Sequence, residues 1–155
     1  MISIFRLLSQ LPLSWLHRLG AVAGWLSWLF SSTYRRNMRE NMVRALGEEG
    51  ERRARFGAVA SAGKTSLELP KIWLRPLAET AARVVGISGW DVFEAAARQG
   101  KGIVYLTPHL GCFEITAQYM STHAPVTVLY RPPKQAWMRT LVETSRSRGQ
   151  LHIAP

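Results

Sequence analysis

The chain has a single cysteine, Cys112, so no intramolecular disulfide can form. That suits a reducing compartment. Cysteines and histidines never cluster with metal-ligand spacing, which argues against a structural zinc, and neither metal nor cofactor is expected. No G-x-S-x-G stretch occurs, so a serine nucleophile elbow is missing. There is no internal repeat and no low-complexity linker. Acidic residues are scarce: 10 Asp+Glu stand against 20 Lys+Arg, for a formal net charge of +10. That imbalance favours an anionic partner, whether nucleic acid, anionic lipid or an acidic protein. Hydrophobic residues make up 47% of the 155, which is ordinary for a folded chain of one-domain length.

The apolar residues crowd into the first thirty positions. Pro12 to Phe30 is 19 residues, close to the roughly 20 that span a bilayer as a helix. His17 and Arg18 are costly at mid-bilayer but tolerable near one end. Trp15, Trp25 and Trp28 suit interfacial depth. Arg35, Arg36, Arg39 and Arg44 follow directly, against Arg6 alone on the other flank. The positive-inside rule then places the bulk of the chain in the cytoplasm. "AVA" resembles a signal-peptide cleavage site, but His17 and Arg18 interrupt the apolar core such a signal needs. Membrane contact is therefore expected of residues 1–32, as an anchor or an interfacial helix. Spanning and surface-lying remain alternatives, and a buried amphipathic helix is the plainer reading.

Residues 33–155 read as one unit that begins helical. Met38, Met42 and Leu46 have helical spacing, with Gly47 as a stop. A second helical stretch from Glu48 is expected to end before Pro70. From about residue 82 the pattern changes. "ARVVGI" predicts a strand, "GWDVFEAAARQG" a helix closed by Gly100, and "GIVYLT" a buried parallel strand. "EITAQYMS" is helical, "PVTVLY" a strand, "QAWMRTLVETSRSRG" a helix and "LHIA" a further strand. The expected class is α/β: a membrane-associated helix and a helical segment, then β-α-β-α-β with a mostly parallel sheet. A sheet that ends on a fresh strand reads as incomplete, so a longer protein is expected.

The stretch "PHLGCFE" concentrates the chemistry. With a strand over Ile103 to Thr107 and a helix from about Gly111, His109 falls at the carboxyl end of a parallel strand, where open α/β sheets place ligands. His109 and Glu114 are five residues apart, about 140° on one continuous helix. Divided between a turn and a first helical turn, the carboxylate can swing back to orient the imidazole. The helix amino end would favour an oxyanion. Cys112 is close enough in sequence to raise a thiol nucleophile, though packing is the simpler role for it. Without a protein nucleophile, the base would activate a substrate hydroxyl or a water. Surface or structural decoration is the alternative for such a pair.

"HLGCFE" fits the H-x4-[DE] motif of glycerolipid and lipid A acyltransferases. With "LPLSWLHRLGAVAGWLSWL", "RRNMRENMVRAL", "GISGWDVFEAAARQGKGIVYLTPHLGCFEITAQ" and "VLYRPPKQAWMRTLVETSRSRG" in that order, the chain resembles the lipid A biosynthesis acyltransferases. The family usually has Asn and Trp where this chain has Cys112 and Phe113. The resemblance implies transfer of an acyl chain from acyl carrier protein to a hydroxyl of a phosphorylated glycolipid, at the cytoplasmic face of a bacterial inner membrane. His109 would be the general base and Glu114 its orienting partner. Arg131, Arg146 and Arg148 would contact phosphate or include a catalytic arginine. Asn37 and Asn41 match a family block without an assigned role. The acidic carrier, the phosphorylated acceptor and the membrane become the expected partners, and nucleic acid does not. The resemblance implies a longer protein, of which this is the N-terminal half, expected to be inactive by itself. A glycerophospholipid acyltransferase and an inactive membrane-associated fragment are the alternatives.

Overall fold

A computed structural model describes residues 2–154. The chain divides into two compact units, Met1–Leu74 and Arg75–Pro155. The long helix after the leader packs back onto it within the first of these units.

The first unit is helical. Helix α1 spans Ile2–Gln10, α2 spans Leu13–Phe30 and α3 spans Ser32–Leu74. Pro12 separates α1 from α2 with φ −55° and ψ 146°, extended geometry that a pyrrolidine ring favours. Gly47 kinks α3 with φ 71° and ψ 173°, as its place at the end of the Met38–Met42–Leu46 row predicts. The second part of α3 runs antiparallel to α2. His17 Nε2 meets Glu68 Oε1 at 2.5 Å, and the Arg55 guanidinium lies 5.8 Å from the Trp28 ring centre. Between these points Gly20 and Gly24 face Val59 and Gly63 so closely that an added Cβ would strike backbone. A small residue every fourth position is what lets two helix backbones approach this far.

Helix α3 does not stop before Pro70; it continues to Leu74. Proline removes one intrahelical bond. Pro70, Lys71, Ile72 and Trp73 are all buried, and that packing offsets the loss. The Lys71 ammonium donates to the Ser9 carbonyl at 3.1 Å and the Leu11 carbonyl at 2.7 Å, satisfying the end of α1.

No helix among the described residues is long and apolar enough to cross a membrane. Helix α2 has 18 residues, and His17 inside it turns to Glu68 on α3. Its apolar residues instead form two opposite rows. Leu16, Gly20, Gly24 and Trp28 are buried against α3, while Trp15, Leu19, Val22, Leu26 and Leu29 are exposed.

The second unit holds α4 (Leu77–Ala81), α5 (Trp90–Ala97), α6 (Glu114–Met120), β1 (Val126–Leu129), α7 (Ala136–Arg146) and β2 (Leu151–Ala154). Strands β1 and β2 pair in parallel, Val126 opposite Leu151 and Leu129 opposite Ala154, with α7 as the crossover. The described residues therefore contain one parallel β-α-β unit, and the longer β-α-β-α-β order expected of the sequence does not appear among them. Residues 84–87 and 102–110 are irregular where strands were expected. A strand exists only with a ladder partner. Among the described residues the sheet has two strands, neither of them in these runs. Val104 and Leu106 are accordingly 90% and 93% exposed, although their residue types suit a pleated, buried surface.

Candidate functional site

Helix α6 begins at Glu114, immediately after the turn that carries His109. Gly111 makes that turn with φ +54°, a left-handed conformation that glycine adopts without a Cβ penalty. Leu110 N–H donates to the Pro108 carbonyl at 2.9 Å, tightening the approach. His109 is exposed, and its ring lies 4.2 Å centre to centre from Phe113 at 40°. Phe113 thus supports the imidazole as an aromatic neighbour. Cys112 is half-buried, between His109 and the start of α6.

Glu114 is only 7% exposed. Arg146, the last residue of α7, donates to it through two nitrogens: Nε to Oε2 at 3.1 Å, and Nη2 to Oε1. A fork of this kind holds a carboxylate in position more tightly than a single ammonium could. No hydrogen bond joins Glu114 to His109 among the described residues. The structure therefore brings Glu114 and Arg146 together across 32 positions of sequence. His109 is exposed on the turn that precedes Glu114.

Arg148 has a different setting. Its Nε donates to the Ser145 carbonyl at 2.8 Å, its Nη1 to the Arg75 carbonyl at 2.5 Å and its Nη2 to Gln118 Oε1 at 3.1 Å. Burial draws its pKa below the usual guanidinium value. Gln118 is fully buried on α6 and gives its amide N–H to the Ser145 carbonyl at 3.0 Å. Arg148 and Gln118 together fasten α6 to the end of α7, which is the alignment that lets Arg146 reach Glu114. Gln118 carries no signal by itself. The polar row Glu114, Gln118, Ser121 on the inward face of α6 would have pointed to it.

Gly149 closes this assembly with φ +61°, and an added Cβ there would sit 2.7 Å from Leu77 Cδ2. Arg131 is exposed just beyond β1, without an acidic partner among the described residues. The neighbouring Tyr130 hydroxyl donates to Glu143 on α7, an interaction that raises the phenol pKa. No group of three or more His, Cys, Asp or Glu among the described residues could hold a metal ion.

The chemistry-bearing groups of this unit are an exposed imidazole at His109, a buried carboxylate with a guanidinium on it at Glu114 and Arg146, and an exposed guanidinium at Arg131. No curated protein and no solved structure gives a significant match to the chain. The family model of the bacterial lipid A biosynthesis acyltransferases does match, over residues 1–155. By that match across its whole length, the chain belongs to the bacterial lipid A biosynthesis acyltransferases.

Proposed function

We propose that the chain carries the acyl-transfer site of a lipid A acyltransferase, with His109 as general base. The observation that carries this reading is the buried Glu114–Arg146 pair at the foot of the HLGCFE turn. A surface decoration has no need of a desolvated, doubly bonded carboxylate.

In the reaction, the acceptor hydroxyl attacks the thioester carbonyl while His109 takes its proton. The new C–O bond forms, the C–S bond breaks, and the imidazolium returns the proton to the departing thiolate. Glu114 stabilises the imidazolium by its charge, and Arg146 holds that carboxylate in place. Arg131, exposed beyond β1, is the candidate contact for an acceptor phosphate. Arg148 acts as a positioning residue through its bonds to α6 and α7. Acyl carrier protein is the donor this reading favours, because its acidic surface suits a chain of net charge +10. The exposed row Trp15, Leu19, Val22, Leu26 and Leu29 would rest on the cytoplasmic face of the inner membrane as an interfacial surface.

The test is acyl transfer by the complete gene product, with lipid A precursor and lysophospholipid offered as alternative acceptors. His109→Ala is expected to lower transfer to lipid A precursor by 100-fold or more. Unchanged turnover in that variant would remove His109 from the mechanism. Preference for the lysophospholipid would move the substrate to the glycerolipid class.

A further inference from the structure

The break between α2 and α3 carries a second cluster, distant in sequence from the HLGCFE turn. Arg35, Arg36, Arg39 and Arg44 from the first part of α3, and Arg55 from beyond the kink, line a groove of about 720 Å³. Three of the five arginines are engaged. Arg35 donates to the carbonyls of Trp28 and Leu29, the last turn of α2, at 3.3 and 3.4 Å. Arg39 meets Glu48 at 3.4 Å across the Gly47 kink. Arg55 is held by the buried Glu51 through two bonds of 2.6 Å. Arg36 and Arg44 have no ion-pair partner among the described residues.

Counting Glu40, Glu48 and Glu51, five guanidinium groups meet three carboxylates, so two positive charges are left over. Trp28, near the end of α2, lines this groove, and Arg35 within it reaches the carbonyl of the exposed Leu29; the 84%-exposed Phe30 follows as the last residue of that helix. A second groove of about 480 Å³, with Ala23, Phe30, Tyr34 and Leu67 in its wall, opens at the same helix junction. An apolar ledge beside a cationic groove is complementary to one kind of surface: acyl chains beneath an anionic phosphate headgroup.

We infer that this groove is a binding site for the phosphodiester headgroup of an anionic membrane phospholipid. Arg36 and Arg44 supply the free charge, and Phe30 with the lower part of α2 supplies the apolar contact. The inference rests on the interfacial reading of α2 and adds a headgroup preference to it. It does not depend on His109 chemistry. Phosphate is the group recognised, and the lipid is favoured over free phosphate because α2 ends beside the arginines on two exposed apolar residues, Leu29 and Phe30.

The complete protein should be titrated against phosphatidylcholine vesicles, and against the same vesicles containing phosphatidylglycerol, with partition read by co-sedimentation. Phosphatidylglycerol is expected to raise partition by roughly tenfold. Arg36→Gln/Arg44→Gln should lose most of that gain. Arg98→Gln/Arg139→Gln, an equal loss of charge outside the groove, should keep it. Equal loss in both double variants would mean diffuse attraction and would overturn the site. Binding to neutral vesicles with no phosphatidylglycerol gain would overturn the headgroup preference and leave the interfacial reading standing. Failure to bind either vesicle would sink both. Inorganic phosphate at matched ionic strength is the final arm. Thermal stabilisation by phosphate that Arg36→Gln/Arg44→Gln abolishes, without any lipid preference, would reassign the groove to free phosphate.

Discussion

Glu114 is held in its buried place by the fork that Arg146 puts on it. Removing one member of such a pair leaves the other desolvated and alone, which costs far more than an exposed pair is worth. Arg146→Ala is expected to destabilise the second unit by roughly 3 kcal/mol, read as a fall in the urea midpoint. Arg146→Lys should recover only part of this, because an ammonium cannot reproduce two parallel bonds. In the first unit, the Arg55 hydrogen bonds hold the Glu51 carboxyl below its ordinary value of 4.5. Arg75 does the same for Glu79. A carboxylate with a lowered folded pKa stabilises the fold above its unfolded value, and that contribution disappears as pH falls through the folded value. Stability should therefore decline below about pH 4.5, and Arg55→Gln should flatten the decline in the first unit. Urea midpoints measured down the acid range check both.

Two helices touch backbone to backbone where α2 crosses α3. A Cβ on Gly24 would lie 2.4 Å from the Val59 carbonyl oxygen, and one on Gly63 would lie 1.9 Å from the Gly20 oxygen. Neither oxygen can retreat without moving its helix. Gly24→Ala is expected to cost about 1–3 kcal/mol through overpacking, with larger side chains separating the pair. Gly57 is the internal control: it lies in α3 with open space around its Cβ position. Gly57→Ala should stabilise by about 0.5–1 kcal/mol, since alanine loses less backbone entropy on folding. Thermal unfolding of the two variants should move in opposite directions. The Gly20-x3-Gly24 spacing is visible in the chain, but its partner row at Val59 and Gly63 is defined only once α3 has folded back.

At the scale of the whole molecule, charge matters more than any single contact. A surplus of +10 raises the encounter rate with acidic macromolecules and is screened by salt. If an acidic carrier protein brings the acyl group, its KM should rise several-fold between low and physiological ionic strength. A small neutral thioester donor should show no such change. Equal salt dependence for the two donors would remove electrostatic docking from donor recognition.

Much of the local structure was legible beforehand. Helices α5, α6 and α7 and strands β1 and β2 fall where periodicity and turn residues placed them, and Gly47 interrupts α3 as expected. These features depend on neighbours within a few positions, so the chain specifies them locally. The ordered blocks around HLGCFE likewise sufficed for the family. Three matters waited for the tertiary structure. Ile103 to Thr107 has the composition of a buried strand but lies unpaired, because a ladder needs a partner that composition cannot supply. Pro70 sits within a helix because burial of its neighbours outweighs one lost bond. Glu114 meets Arg146, 32 residues away, and His17 meets Glu68, 51 residues away. Sequence spacing indicates which polar groups need partners. Only the alignment of α6 with the end of α7, and the packing of α2 on α3, decides which partners they find.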